Sequence, residues 1–471
     1  MTQDARYVRI VPSPRQLALQ EMEFYAFVHF TVNTFTDREW GDGTESPAVF
    51  NPIRLDADQW VRAIRAAGMK GLILTCKHHD GFCLWPSRHT RHTVAASPYR
   101  NGQGDVVAEV AEACRRGGIR FGVYLSPWDR NQPLYGTGKP YDDYFIAQLT
   151  ELLTGYGDIF SVWLDGACGE GPNGKKQFYD WERYYETIRA LQPGACIHIC
   201  GPDIRWCGNE AGDTRESEWS VVPRRTADTE KIASASQQAD DAAFRQRQIR
   251  AQDRDLGSRE MLRDEPELIW YPAEVNTSIR PGWFWHASED GQVRPLSELI
   301  HIYEHAVGGN ATFLLNIPPT SEGRFHPEDV ARLEAFGRYL REAYGRNLML
   351  EPGTALAADP CQPGHGVEAL LTDSYDTWYM PLASAAAWCV RWKEPQVIRR
   401  VVLKENLLLS QRVERFAIDA ETSGGWEQVY TGTVIGHKRI VTLPAVSTAA
   451  LRIRILDSRC EPALSFMAVY N

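Results

Sequence analysis

Two carboxylates stand where a rigid scaffold would present them to a substrate. Asp165 follows an apolar run in "FSVWLDGACGEG", and Glu210 lies in "RWCGNEAG", where Gly208 and Gly212 let the chain bend around it. A carboxylate placed after four apolar residues is costly to bury without partners, so Asp165 reads either as a loop cap or as a charge held for chemistry. Glu210 reads either as a surface loop residue or as the second member of a pair. Two carboxyl groups about 5–5.5 Å apart across a pocket are what retaining glycoside hydrolysis requires. One attacks the anomeric carbon; the other protonates the leaving oxygen and then activates water. His29, the pair His78–His79 in "KHHDGF", Tyr124 and Glu274 stand at the ends of further strand-like runs. Neighbouring histidines on a strand face opposite ways, so both reach one pocket only if the strand has already ended. They then suit sugar hydroxyls, a metal ion held by His29, His78 and His79, or hydrogen bonds that only support the structure.

The elements that must hold these groups are strands buried on both faces. Residues 25–30, 71–78, 120–126, 160–166, 195–200, 218–222, 269–275 and 312–319 are almost continuously apolar, the pattern of a parallel sheet covered by helices. Helical patterns lie between them: "DADQWVRAIRAAG" opens on an Asp cap and closes on Gly68, and "GDVVAEVAEACRRGG" repeats the design. About eight strands, most followed by a helix, predict an α/β (β/α)8 barrel over residues 1–346. A doubly wound open sheet is the competitor, and the absence of GxGxxG after the first strand counts against it. In a barrel, chemistry gathers at the C-terminal ends of the strands. Residues 224–266 are polar and predict a partly helical insertion after the sixth strand, near the mouth. Short alternating strands at 371–380, 388–395, 397–406, 413–421, 426–432, 438–444 and 450–457, separated by turn residues, then predict a β-sandwich over 347–471, entered through a linker, "EPGTALAADPCQPG".

Composition narrows the class. Asp and Glu (61) outnumber Lys and Arg (51), a net charge of −10, which argues against a phosphate-backbone partner. No run of about 18 apolar residues is present to span a membrane. The ten cysteines form no CxxC pair, which argues against zinc-ribbon and thioredoxin-type sites; those in "ACIHIC" suit buried free thiols. The opening "MTQDARYVRIVPSPRQ" lacks an apolar signal core, the pattern of a cytosolic enzyme or of a chain trimmed of its leader. Fifteen tryptophans supply flat apolar faces with one polar handle, the kind of surface that meets the C–H side of a sugar ring.

Taken in order, "YAFVHFTVNTFTDREWGDG", "GLILTCKHHDGFCLWPS", "FGVYLSPWDR", "FSVWLDGACGEG", "CGPDIRWCGNEAG", "EWSVVP", "IWYPAEVNTSIRPGWFWH" and "LLNIPPTSEG" resemble the α-L-fucosidases of glycoside hydrolase family 29. They are most similar to the bacterial subfamily that prefers α-1,3- and α-1,4-linked fucose in branched, Lewis-type oligosaccharides. The resemblance implies Asp165 as nucleophile and Glu210 as acid/base. It further implies fucose binding by His29, Glu39, Trp40, His78, His79 and Tyr124, with Trp283 facing the sugar methyl group. It implies an exo-acting, retaining reaction on a fucosylated oligosaccharide, without metal or organic cofactor, and a galactose-binding-like sandwich behind the barrel. The competing readings are an α-L-fucosidase of broader specificity, a metal-dependent hydrolase built on the histidines, and a glycan-binding protein without chemistry.

Overall fold

The computed structural model describes residues 4–235 and 255–471. Eight parallel strands form the first sheet: β1 (Phe24–Val28), β2 (Gly71–Lys77), β3 (Arg120–Leu125), β4 (Ile159–Leu164), β5 (Cys196–Ile199), β6 (Arg205–Trp206), and, after two strands outside this sheet, β9 (Ala273–Ser278) and β10 (Ala311–Asn316). Their order is β5-β4-β3-β2-β1-β10-β9-β6. A parallel bridge between His198 and Ile204 joins the two edge strands, so the sheet curls into a barrel. Helices at Ala57–Ala66, Val106–Gly117, Lys139–Gly155, Trp181–Leu191, Leu296–Ala306 and Pro327–Ala343 surround it. The first two start at side-chain caps from Asp56 and Asp105.

Strands β1, β2, β3 and β10 divide their side chains by parity; β4 shifts register between Ile159 and Val162, which turns both Phe160 and Trp163 inward. Phe24, Ala26 and Val28 join Leu72, Leu74, Val162 and Leu164 under the helices. Tyr25, Phe27, Ile73, Phe160 and Trp163 fill the barrel interior with Tyr124 and Leu314. Both sides are dry, which is why these strands read as continuous apolar runs.

The sixth strand corrects the sequence reading. "EWSVV" does not enter the barrel: β7 (Val221–Pro223) pairs antiparallel with β8 (Leu268–Trp270) outside it. The sixth position belongs to Arg205–Trp206, too short and polar to show as an apolar run, and Glu210 therefore follows the sixth strand rather than the fifth. The predicted seventh run breaks at Tyr271–Pro272. Pro272 has no N–H to pair, and its carbonyl accepts from Arg205 N at 3.0 Å. The insertion thus follows β7. Its described ends carry helices Thr229–Ala235 and Arg259–Leu262; residues 236–254 lie outside the described residues.

The C-terminal sheet is antiparallel: β11 (Ala355–Ala358), β12 (Ala386–Glu405), β13 (Val413–Thr422), β14 (Gly425–Gly432), β15 (Arg439–Ser458) and β16 (Leu464–Tyr470). Four expected short strands are two long ones, β12 and β15, whose pairing shifts register between Arg391 and Gln396 and again between Ile398 and Arg400. These irregularities bend both strands, so a single ladder supplies both layers of the sandwich around Trp388, Trp392, Phe416 and Ile453. Residues 371–380, expected as a strand, contribute only an isolated bridge at Tyr379. β11 lies inside the expected linker, and β16 has no counterpart among the expected strands. The sandwich meets the barrel where Arg439 bridges Gly309 beside the start of β10.

Candidate active site

A cavity of about 740 Å³, including its open mouth, is lined by Phe27, His29, Glu39, Trp40, His78, His79, Trp163, Asp165, Gly166, Ala167, Ile199, Trp206, Glu210, Asn276 and Trp283. It lies at the C-terminal ends of the barrel strands. Eight of the nine residues expected from the sequence line it; the ninth, Tyr124, lies directly behind Asp165.

Asp165 is the first residue after β4. Its Oδ1 accepts from the N–H of Ala167 (2.8 Å) and its Oδ2 from the Tyr124 hydroxyl (2.9 Å). Its side chain is 23% exposed, toward the cavity. Burial raises its proton affinity above the ordinary carboxylate range, and the donors Ala167 N, Tyr124 and Gly166 N act in the opposite sense. Tyr124 in turn stacks on Trp163 with ring centroids 5.4 Å apart.

The three histidines are neutral, and two of them are oriented as acceptors. β2 ends at Lys77, so His78 and His79 are past the pleat and both face the cavity. Burial pushes His29 down to about 4 and His79 down to about 3, and moves His78 the same way. Asn316 gives its N–H groups to Ser278 Oγ and Trp283 O, so its Oδ1 accepts from His29 Nδ1 at 2.8 Å. Ser126 spends its proton on Trp128 O and accepts from His79 Nδ1 at 2.7 Å. Both rings therefore carry Nδ1–H and keep a lone pair on Nε2, suited to a donating hydroxyl. His79 Nε2 lies 3.9 Å from Asp165 Oδ2. Among the described residues no group of three or more His, Cys, Asp or Glu is arranged to hold a metal ion.

Glu210 sits on the loop after β6. Asn209 shapes that loop: its Oδ1 accepts from the N–H groups of Ala211, Gly212 and Asp213. Gly212 takes φ +98°, and a Cβ there would meet Ile302 at 2.8 Å. Trp283 Nε1 donates to Glu210 Oε2 at 3.3 Å. Glu39 anchors the loop that bears Trp283. Its oxygens accept from the N–H groups of Trp283 (2.9 Å) and Phe284 (3.1 Å) and from His286 Nε2 (2.7 Å). Trp40 meets His79 edge-on at 5.5 Å. Trp285 stands away from the cavity, with its Nε1 on Asp290.

Glu274 is a correction. It is the second residue of β9, buried below the cavity rather than at the mouth. Seven lining residues were not singled out in the sequence: Phe27, Trp163, Gly166, Ala167, Ile199, Trp206 and Asn276. Asn276 was recoverable, because it shares the parity of Glu274 on β9; its Oδ1 fixes the Trp206 indole N–H at 2.8 Å.

Residues 15–345 match the α-L-fucosidase family profile. The chain is 38% identical to "Alpha-L-fucosidase 1" of Arabidopsis thaliana, over 98% of this chain and 87% of that one. A solved structure from Bacteroides ovatus ATCC 8483 is 45% identical with a TM-score of 0.86, covering 100% of this chain and 76% of that one. A Ruminococcus gnavus family 29 fucosidase solved in complex with fucose is 27% identical with a TM-score of 0.84, covering 98% and 95%. The chain belongs to the α-L-fucosidase family, glycoside hydrolase family 29.

Proposed function

We propose that this chain is an exo-acting, retaining α-1,3/1,4-L-fucosidase with Asp165 as nucleophile and Glu210 as acid/base. The observation that carries the reading is one cavity lined by both carboxylates, three neutral histidines and the Trp283 indole. L-Fucose enters with its methyl group on Trp283 and its hydroxyls on His29, His78 and His79. An Asp165 oxygen bonds to the anomeric carbon as the bond to the leaving oxygen breaks, and the proton of Glu210 passes to that oxygen. Glu210, now a carboxylate, takes a proton from water; the water oxygen bonds to the anomeric carbon and Asp165 leaves. Two inversions restore the α configuration. Polar groups matched to each hydroxyl penalise sugars lacking one.

The linkage preference rests on the likeness of the ordered set of segments, "GNEAG" among them, to the subfamily that cleaves branched substrates. Its test is a panel of fucosylated oligosaccharides of defined linkage, with free L-fucose and its first-formed anomer followed by NMR. Branched α-1,3 and α-1,4 substrates are expected to turn over well, α-1,2 linkages and aryl fucosides poorly, and the α anomer to appear first. Equal rates across the panel would remove the linkage preference; the β anomer first would remove the retaining mechanism.

A further inference from the structure

We propose that the C-terminal sandwich is a positioning element of the reaction, with Thr433, Arg439 and Gln411 fixing the loop that carries Glu210. The inference rests on the reading of Glu210 as acid/base. A general acid works only when its proton is aimed at the leaving oxygen, and a misplacement of about 1 Å can cost about 100-fold. Yet Glu210 sits on a loop of 14 residues (207–220) between the two-residue β6 and the three-residue β7. Strands this short cannot by themselves define the path of such a loop.

The near half of the loop is held from the barrel. Asn209 gathers three backbone N–H groups, and Thr277 Oγ1 donates to Glu210 O at 2.7 Å. The returning half is tied to the first by a buried carboxylate. Glu218 lies between Arg205 and Arg215, and Arg215 Nη1 donates to Cys207 O at 3.0 Å. Burial alone would raise the proton affinity of Glu218, but the two guanidinium groups outweigh it and keep the carboxylate ionised. Where residues 216–220 turn back, the sandwich adds polar partners to those of the barrel. Thr433 Oγ1 and Arg439 Nη2 both donate to Glu216 O, at 2.9 and 3.1 Å. Gln411 Oε1 accepts from Ser220 N at 2.9 Å. The Arg459 guanidinium lies 3.7 Å from the Trp219 ring centre. From the barrel side, Asn310, just ahead of β10, donates to Glu218 O at 2.7 Å, Arg205 Nη2 to Trp219 O at 3.0 Å and Tyr271 N to Ser220 O at 2.7 Å.

These partners are themselves rigid. Arg439 is buried, its Nε donates to Val434 O at 2.8 Å, and its backbone bridges Gly309. The sandwich also reaches the outer helices, where Arg400 pairs with Glu304 and donates to the Tyr339 hydroxyl. In addition, polar groups from three separate parts of the sandwich converge on one loop, the one that carries Glu210. The sandwich is thereby assigned a part in proton transfer without touching the sugar.

The test separates acid-dependent from acid-independent bond breaking. A Lewis-type trisaccharide needs a proton on its leaving oxygen; α-L-fucosyl fluoride loses fluoride without one. Arg439→Met, and separately the milder double variant Thr433→Val/Gln411→Met in case the first does not fold, are compared with the parent and with Glu210→Ala on both substrates. The expected result is a fall in kcat/KM of about ten-fold or more on the trisaccharide and of less than about two-fold on the fluoride. An equal loss on both substrates, or no loss on either, from a folded variant overturns the inference while leaving Glu210 in place. If Glu210→Ala itself loses both substrates equally, the acid/base reading falls and this inference falls with it.

Discussion

The Tyr124 hydroxyl donates to Asp165 Oδ2 at 2.9 Å, from a ring that is itself fully buried. This donor stabilises the ionised form of a carboxyl that burial pushes the other way. Attack on the anomeric carbon needs ionised Asp165, so the acid limb of kcat/KM follows its protonation.

Tyr124→Phe removes the donor and leaves the ring in place. A hydrogen bond to a charged group is worth about 1.5–3 kcal/mol, and one pKa unit is about 1.4 kcal/mol. The expected outcome is an acid limb displaced to higher pH by about one unit or more, read from kcat/KM against pH. A limb that stays put, or moves to lower pH, contradicts the role given to Tyr124.

Azide distinguishes the two carboxylates by the product it forms. In Glu210→Ala the glycosyl-enzyme still forms from substrates with a good leaving group, and azide captures it with a second inversion. The product is α-L-fucosyl azide. In Asp165→Ala azide occupies the vacated space and displaces the leaving group once, giving the β azide. Each variant alone is expected to lose about 100-fold or more. Products of opposite configuration would mean that the two roles are exchanged.

The difference between sequence and structure at this site is one of element length and parity. His29, His78, His79 and Asp165 were legible because each ends or follows a strand whose apolar run is continuous, and such runs arise when both faces are dry. Glu39, Trp40 and Trp283 came only through family likeness, since the loops that hold them carry no periodic pattern. Arg205–Trp206 was invisible as a strand: two residues have no period, and the arginine faces a buried glutamate rather than apolar side chains. The long sandwich strands were split in two because their bends interrupt the alternation. Glu274 illustrates the reverse error, where a charged residue after an apolar run belongs to the start of the next strand.

His286 bridges Asp37 and Glu39, with its ring nitrogens 2.6 and 2.7 Å from their oxygens. The bond to Glu39 is the largest cause of a shift that carries it up to about 9, against partial burial. The imidazolium therefore persists at neutral pH. Its contribution to stability is fully present below about 6.5 and is lost as pH rises through about 9. With it weakens one of the three contacts that hold Glu39 to the Trp283 loop. L-Fucose binding, measured by titration calorimetry, is expected to weaken above about pH 9 in the parent. In His286→Ala it is expected to be about ten-fold weaker at neutral pH, with no further weakening from that transition. A variant that binds fucose like the parent at pH 7 would free Glu39 from dependence on His286.

Glu274 tests whether the barrel floor supports the nucleophile. Its Oε2 accepts from Tyr25 Oη at 2.5 Å and from His198 Nδ1 at 2.9 Å, and its Oε1 from Trp163 Nε1 at 2.8 Å. Tyr25, His198 and Glu274 are buried, and Trp163 is buried at the cavity wall. Glu274→Leu strands His198 Nδ1 and Trp163 Nε1, while Tyr25 Oη keeps Thr312 Oγ1 at 2.9 Å; two buried groups left unsatisfied cost about 2–6 kcal/mol together. A loss of that size is expected in urea unfolding. The effect should also reach the chemistry. Trp163 is the indole on which Tyr124 stacks, and Tyr124 holds Asp165, so a released Trp163 should lower kcat on α-L-fucosyl fluoride, where no acid assistance is needed. Glu274→Gln keeps a carbonyl acceptor and is expected to lie between the parent and the leucine variant on both measures. Full kcat on the fluoride in a destabilised Glu274→Leu would confine Glu274 to stability and leave Asp165 held by Tyr124 and its backbone donors alone.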